Sequence, residues 1–164
     1  MKTLYLCRHA KSDWPAGVRD LDRPLKERGI NDAQFLGQLL ASQDFSVDRI
    51  ISSPANRAKS TAKIIAQTAG HTSSIQIEEC VYHEGVASLI SFVRQLPNDL
   101  TSAMIFGHNP TMEDTVQALL NSEADFMLPT SAIACFESEG HNWTTFRTSN
   151  LQLRWLLVPR LQRK

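Results

Sequence analysis

The sequence predicts an α/β fold: a three-layer α/β/α sandwich with a mostly parallel central sheet and an antiparallel pair near one edge. Three observations predict it. Short apolar runs alternate with stretches of helical periodicity along the chain, as in repeated strand–helix–strand units. The runs TLYLC (3–7) and SAMIFG (102–107) are almost wholly apolar, as strands covered on both faces are. The 164 residues, 42% of them apolar, suffice for one such core, so 1–164 reads as one domain.

TLYLC (3–7) is the first buried strand. LKERGINDAQFLGQLLASQ (25–43) reads as a helix with Ala33, Leu36, Gly37 and Leu40 on one stripe. DRIIS (48–52) is a second strand. Pro54 then suits the first turn of a helix, where a missing N–H costs nothing. That helix carries Ala58, Ala62, Ile65, Ala66 and Ala69 on one face and stops at Gly70. SIQIEE (74–79) alternates as a weaker strand. Val86, Leu89, Ile90, Val93 and Leu96 form the next helical stripe, which Pro97 ends. After the strand SAMIFG (102–107), Met112, Val116, Leu119 and Leu120 mark a fourth helix. SAIACFES (131–138) and NWTTFRTS (142–149), joined by Glu139-Gly140-His141, read as a terminal antiparallel pair. Arg154, Arg160, Arg163 and Lys164 make the end of the chain basic.

Composition excludes several classes of function. Seventeen Lys and Arg balance seventeen Asp and Glu, which gives no electrostatic reason to expect nucleic acid or an anionic membrane as partner. Any anion binding must come from local clustering. No apolar stretch approaches the ~18–20 residues that span a bilayer, and Arg8 interrupts the amino-terminal run too early for a signal peptide. Cys7, Cys80 and Cys135 form no CxxC pair and read as reduced thiols. The expectation is a cytoplasmic protein.

In open α/β sheets, ligands bind beyond the carboxyl ends of the strands. The first strand is followed by Arg8, His9 and Ser12. The second is followed by Ser53, Pro54 and Arg57, and the 102–107 strand by His108, Asn109 and Pro110. Three strands thus deliver two arginines and two histidines to one edge. Arginine forks match phosphate oxygens. A neutral histidine can attack phosphorus, and a second histidine, when protonated, can donate to an oxygen on which charge develops. Helix starts after Pro54 and Pro110 would add backbone N–H groups. The set describes phosphoryl transfer through a phosphohistidine. Other designs do not fit. No cysteine has an arginine six residues on, no strand precedes Asp20-Leu21-Asp22, and HxH, HExxH, P-loop and GxGxxG patterns are missing from the sequence.

LCRHAKS resembles the Arg-His-Gly/Ala motif that opens the histidine phosphatase, or phosphoglycerate mutase-like, superfamily. SSPANRAKSTA (52–62) resembles its second arginine motif, and GHNPTMEDTV (107–116) its second histidine motif. RHAKSDW, DRPLKERG (22–29), FGHNP and TSAIACFE (130–137) are similar to the SixA-type branch of phosphohistidine phosphatases. The resemblance implies the histidine phosphatase fold over nearly the whole chain. It implies His9 as the nucleophile, with Arg8, Arg57 and His108 as the phosphate pocket. Ser12 suits a further phosphate contact or a simple cap. Arg23 suits a substrate-side arginine or an ion pair with Asp20 or Glu27. Lys11 and Lys26 lie nearby without a clear role.

Larger members of the superfamily place a glutamate general acid after the third strand. Here that stretch is EECVYHEGVA (78–87), where Glu79 and Glu84 both qualify and Glu84, beside a helix start, is preferred. An uncertain acid favours phosphohistidine, because its P–N bond breaks once solvent protonates the leaving imidazole, whereas alkoxides need an acid. The resemblance implies no metal or other cofactor. The expected partner is a phosphorylated protein of the phosphotransfer type or a small phosphorylated molecule, with phosphate as product. A small phosphomonoesterase is the alternative within this chemistry. A phosphate- or phosphoprotein-binding module is the alternative outside it, and mere binding has no need for His9.

Overall fold

A computed structural model describes residues 1–121, 126–146 and 148–162. Its centre is a six-stranded sheet. In chain order the elements are β1 (Lys2–Arg8), α1 (Glu27–Ala41), β2 (Arg49–Ser52), α2 (Asn56–Thr68), β3 (Gln76–Ile77), α3 (Cys80–His83) and α4 (Gly85–Arg94). They continue with β4 (Ser102–Gly107), α5 (Thr111–Leu120), β5 (Ile133–Ser138), β6 (Leu151–Leu157) and α6 (Pro159–Gln162). The strand order is β3-β2-β4-β1-β5-β6. The first four of these run parallel, β5 runs antiparallel to β1, and β6 runs antiparallel to β5.

The period of two along each strand sorts side chains into two cores. Leu4, Leu6, Ile51, Ala103 and Ile105 face Leu89 and Val93 of α4 and Met112 and Val116 of α5. Cys7, Ile50, Met104 and Phe106 face Ala33, Leu36 and Leu40 of α1 and Ala58, Ala62 and Ile65 of α2. Each buried Leu or Ile contributes roughly 1.5–3 kcal/mol. The helical stripes expected from sequence are therefore the buried faces, and the sheet is covered on both sides.

Register places the site. Arg8 pairs with Gly107, and Ser52 pairs with Phe106. β1, β2 and β4 thus end within one residue of each other, so His9, Ser53 and His108 emerge side by side. Two further hydrogen bonds continue the ladder past the strand ends: His9 N–H to Gly107 O at 3.0 Å, and Ser53 N–H to Phe106 O at 3.0 Å.

Three expectations are corrected. The partner of β5 is 151–157, not 142–149. Trp143 and Phe146 are both buried and three residues apart, which a tight helical turn satisfies and an alternating strand does not. Trp143 Nε1–H donates to Leu100 O at 2.9 Å in that turn. Arg147, in the same segment, lies outside the described residues, as do Arg163 and Lys164. Pro54 precedes α2 instead of opening it, because the helix starts at Asn56 with Ala55 still extended. The strand expected over 74–79 shrinks to Gln76–Ile77 at the sheet edge.

Candidate active site

Arg8, His9, Lys11, Ser12, Arg23, Arg57, His108, Asn109 and Thr130 line one cavity of about 250 Å³ at the carboxyl edge of the sheet. Six of the residues singled out from sequence (Arg8, His9, Ser12, Arg23, Arg57 and His108) are brought together there. Glu84 and Glu79 are not. Glu84 sits between α3 and α4, its carboxylate accepting the Ser88 hydroxyl. The chain turn after β3 brings Tyr82 to the cavity side instead, its ring 5.5 Å from that of His108.

His9 is held by its backbone and its ring. Its N–H is in the ladder, and its carbonyl accepts from Ser131 N–H at 3.2 Å. Its Nδ1 lies 2.7 Å from Ala10 O. A carbonyl only accepts, so Nδ1 carries the proton and Nε2 keeps its lone pair. Burial pushes the pKa of His9 down to about 4, and the Arg57, Arg8 and Arg23 charges push the same way against the Ala10 bond. The ring is therefore neutral at pH 7.

His108 is neutral for similar reasons. Burial, then the neighbouring His9 and Arg57, lower its pKa to about 3. Its Nε2 is 2.6 Å from Ser53 Oγ. Ser53 is fully buried and accepts from Ala55 N–H, and among the described residues Nε2 is the one acceptor within reach of its own proton. The His108 proton then sits on Nδ1, which is buried and has no partner among the described residues. Arg8 Nε and Arg57 Nε are in the same condition. Three buried donors on three residues of one cavity thus lack protein acceptors. Leaving such donors unpaired costs about 1–3 kcal/mol each.

Arg8 is fixed by Nη1 donation to Leu128 O at 2.9 Å. Thr61, fully buried in α2, accepts from Ala10 N–H at 2.9 Å and donates to Arg57 O at 2.7 Å. It ties the end of β1 to the helix that carries Arg57.

A residue that the sequence offered only as an ion partner organises the other wall. Arg57 donates from Nη1 to Asp20 O at 2.7 Å and from Nη2 to Asp20 Oδ2 at 3.0 Å. Tyr82 O–H donates to the same oxygen at 2.7 Å, and Arg23 Nη1 reaches Oδ1 at 3.1 Å. The Tyr82 bond first, then Arg23 and Arg57, hold the Asp20 pKa down at about 2. Arg23 also donates from Nη2 to Ser12 Oγ at 2.9 Å. It pairs with Asp20, as one reading of the sequence has it, and it lines the cavity. Its guanidinium stacks 4.3 Å from the ring of Trp14, which is exposed at the rim. Nothing in the pattern of residues around Tyr82 marked it; Asp20 had one signal, its i,i+3 spacing from Arg23.

Two neutral histidines and two arginines around one polar cavity, each delivered from the end of a strand or the helix after it, decide the assignment together with the relatives. A profile of the histidine phosphatase superfamily (branch 1) matches residues 4–81. An uncharacterized protein of Mycobacterium tuberculosis is 30% identical over 162 residues, covering 93% of this chain and 99% of the relative. The chain belongs to the histidine phosphatase superfamily.

Within that superfamily it is similar to the SixA-type branch. Phosphohistidine phosphatase SixA of Escherichia coli is 26% identical over 158 residues, covering 95% of this chain and 93% of the relative. A structure of the protein histidine phosphatase SixA complexed with tungstate shares the fold, with a TM-score of 0.85, 22% identity and coverage of 98% and 99%. The described residues contain no group of three His, Cys, Asp or Glu placed to hold a metal ion, and no helix long and apolar enough to cross a membrane. All three cysteines are free thiols.

Proposed function

We propose that this protein hydrolyses phosphohistidine on a phosphorylated protein, by way of a phosphoryl group carried on His9. Neutral His9 presents Nε2 to phosphorus, and its Nδ1–H bond to Ala10 O becomes stronger as the ring gains positive charge. Arg8, Arg57 and the Nδ1–H of His108 hold the phosphoryl oxygens. Water then takes the phosphoryl group from His9 and releases phosphate. No metal step is required, because the charge on the oxygens is met by guanidinium and imidazole donors.

The observation that carries the choice of substrate is the missing acid. No carboxyl group lines the cavity among the described residues, and Asp20 beside it is ionised at pH 7. An alkoxide leaving group would find no carboxyl proton donor among the described residues that line the cavity. The imidazole of phosphohistidine takes its proton from solvent. Similarity to SixA-type proteins supports the same reading.

A substrate panel tests it. Phosphohistidine protein is expected to be turned over at least ~100-fold more efficiently than small phosphomonoesters, the range that one general acid contributes. Equal efficiency on both would contradict the choice of substrate. Binding without turnover of either would favour a phosphoprotein-binding module.

A further inference from the structure

A second cavity, of about 230 Å³, adjoins the first. Its lining includes Arg8, Lys11, Arg28, Glu113, Thr130 and Arg160, and it shares Arg8, Lys11 and Thr130 with the catalytic cavity. Four of these side chains are cationic. They come from four places in the chain: the end of β1, the loop after it, the first turn of α1, and α6 at the end of the chain.

The charges in this cavity are poorly neutralised from within. Lys11 and Arg160 form no ion pair among the described residues. Arg28 reaches Asp32 only at 3.9 Å and is half exposed. The one acid, Glu113, favours the charged form of Arg8, and its Oε2 accepts from Leu128 N–H at 2.6 Å and from Asn109 Nδ2 at 2.9 Å. It shapes the wall between the cavities and leaves the other three cations facing solvent. A concave cluster of one sign concentrates counter-charge in a way that flat surfaces do not. In a chain with equal numbers of acidic and basic residues, this clustering is local.

We propose that this cavity is a second anion subsite, which takes a carboxylate or phosphate carried by the same substrate next to the phosphoryl group undergoing transfer. The proposal rests on the phosphatase reading above and adds a rule of specificity to it. Arg8 belongs to both cavities, so an anion seated on Arg28, Lys11 and Arg160 lies immediately beside a phosphoryl group on His9. On a protein substrate the group is an Asp or Glu side chain flanking the phosphohistidine. On a small molecule it is a second acidic group.

Two substrate pairs test this at low ionic strength. One is a phosphohistidine peptide with either Glu or Ala beside the phosphorylated residue. The other is O-phosphoserine against phosphoethanolamine, which differ by a carboxylate, read as competitive inhibition constants. The wild type is expected to favour the acidic member about tenfold, in KM and not in kcat, as one charge-assisted contact gives. Arg28→Gln with Arg160→Gln is expected to abolish the preference while hydrolysing the Ala peptide at the wild-type rate. Preference in the peptide pair alone assigns the subsite to protein substrates, and preference in the small pair alone assigns it to small ones. No preference in either pair, or one that survives the double substitution, overturns the subsite. If neither peptide is turned over, the phosphohistidine reading fails, and the dissociation constants of O-phosphoserine and phosphoethanolamine, measured by calorimetry, still decide the subsite.

Discussion

The two walls of the cavity are built differently. The strand-end wall (Arg8, His9 and His108, with Arg57 beside it) is fixed mainly by backbone groups, and Arg57 also leans on the Asp20 carboxylate. His9 is bonded through its N–H, its carbonyl and its Nδ1, and Thr61 pins the neighbouring chain. The loop wall, between β1 and α1, is fixed mainly by one carboxylate. Asp20 holds Arg57, Arg23 and Tyr82 at once, and a short bridge between Ser12 and Leu25 closes the loop's base. In the proposed function the chemistry falls to the strand-end wall and recognition to the loop wall.

The largest test of this difference is on the rigid wall. Arg57→Ala is expected to lower kcat by ~10²–10³-fold, the cost of removing one charged donor from a developing oxyanion. His108→Ala belongs to the same range. Steady-state kinetics on phosphohistidine protein would check both. A loss confined to KM would mean that these residues only bind. On the loop wall, Asp20→Asn is expected to raise KM by about tenfold with less than a threefold change in kcat, since it weakens several charge-assisted contacts of about 1.5–3 kcal/mol without touching the nucleophile. If Asp20→Asn instead matched Arg57→Ala in kcat, the loop wall would be part of the catalytic frame and the contrast would collapse.

The pH profile sharpens the contrast further. Burial and the arginines lower the His9 pKa to about 4, so kcat/KM is expected to lack the acid limb near pH 6.5 of an ordinary histidine and to fall only towards pH 4. The sign carries over to stability. Between pH 6.5 and about 4 the unfolded chain binds protons at His9 and His108 that the folded chain does not, so stability falls as pH drops through that window. A limb near 6.5 would mean that His9 is far less buried than its surroundings imply.

The smallest effect on activity belongs to Gly29→Ala. A β-carbon there would collide with the Lys11 carbonyl, which also accepts from Lys26 N–H at 2.9 Å. Loss of about 1–3 kcal/mol is expected, as for other overpacked contacts, and thermal unfolding would read it. An unchanged melting temperature would show that the base of the loop wall is free to shift.

Much of this was legible in the sequence. Buried parallel strands advertise themselves as apolar runs, and the residues just past the end of each run must meet at one edge. This is why Arg8, His9, Arg57 and His108 group together in the sequence alone. The loop wall was not legible, because its contacts join residues far apart in sequence without periodicity. Tyr82 meets Asp20 across 62 positions, and no spacing rule connects them. Glu84 was preferred as an acid because it stands beside a helix start, yet its position between α3 and α4 leaves it bonded to Ser88. The stretch 142–149 misled for a local reason: Trp143 and Phe146 are strand-forming residues used in a tight turn, where burial overrides propensity.

The central claim is that His9 carries the phosphoryl group. Rapid quenching of the enzyme into alkali during turnover of phosphohistidine protein, followed by mass spectrometry of the peptide containing residues 1–26, tests it most directly. The prediction is an alkali-stable phosphoryl group on His9, formed and lost at rates that account for turnover, and absent from His9→Ala, whose kcat falls by ~10⁴-fold or more. Turnover with no phosphoryl group on the enzyme, or with one on another residue, would contradict the account.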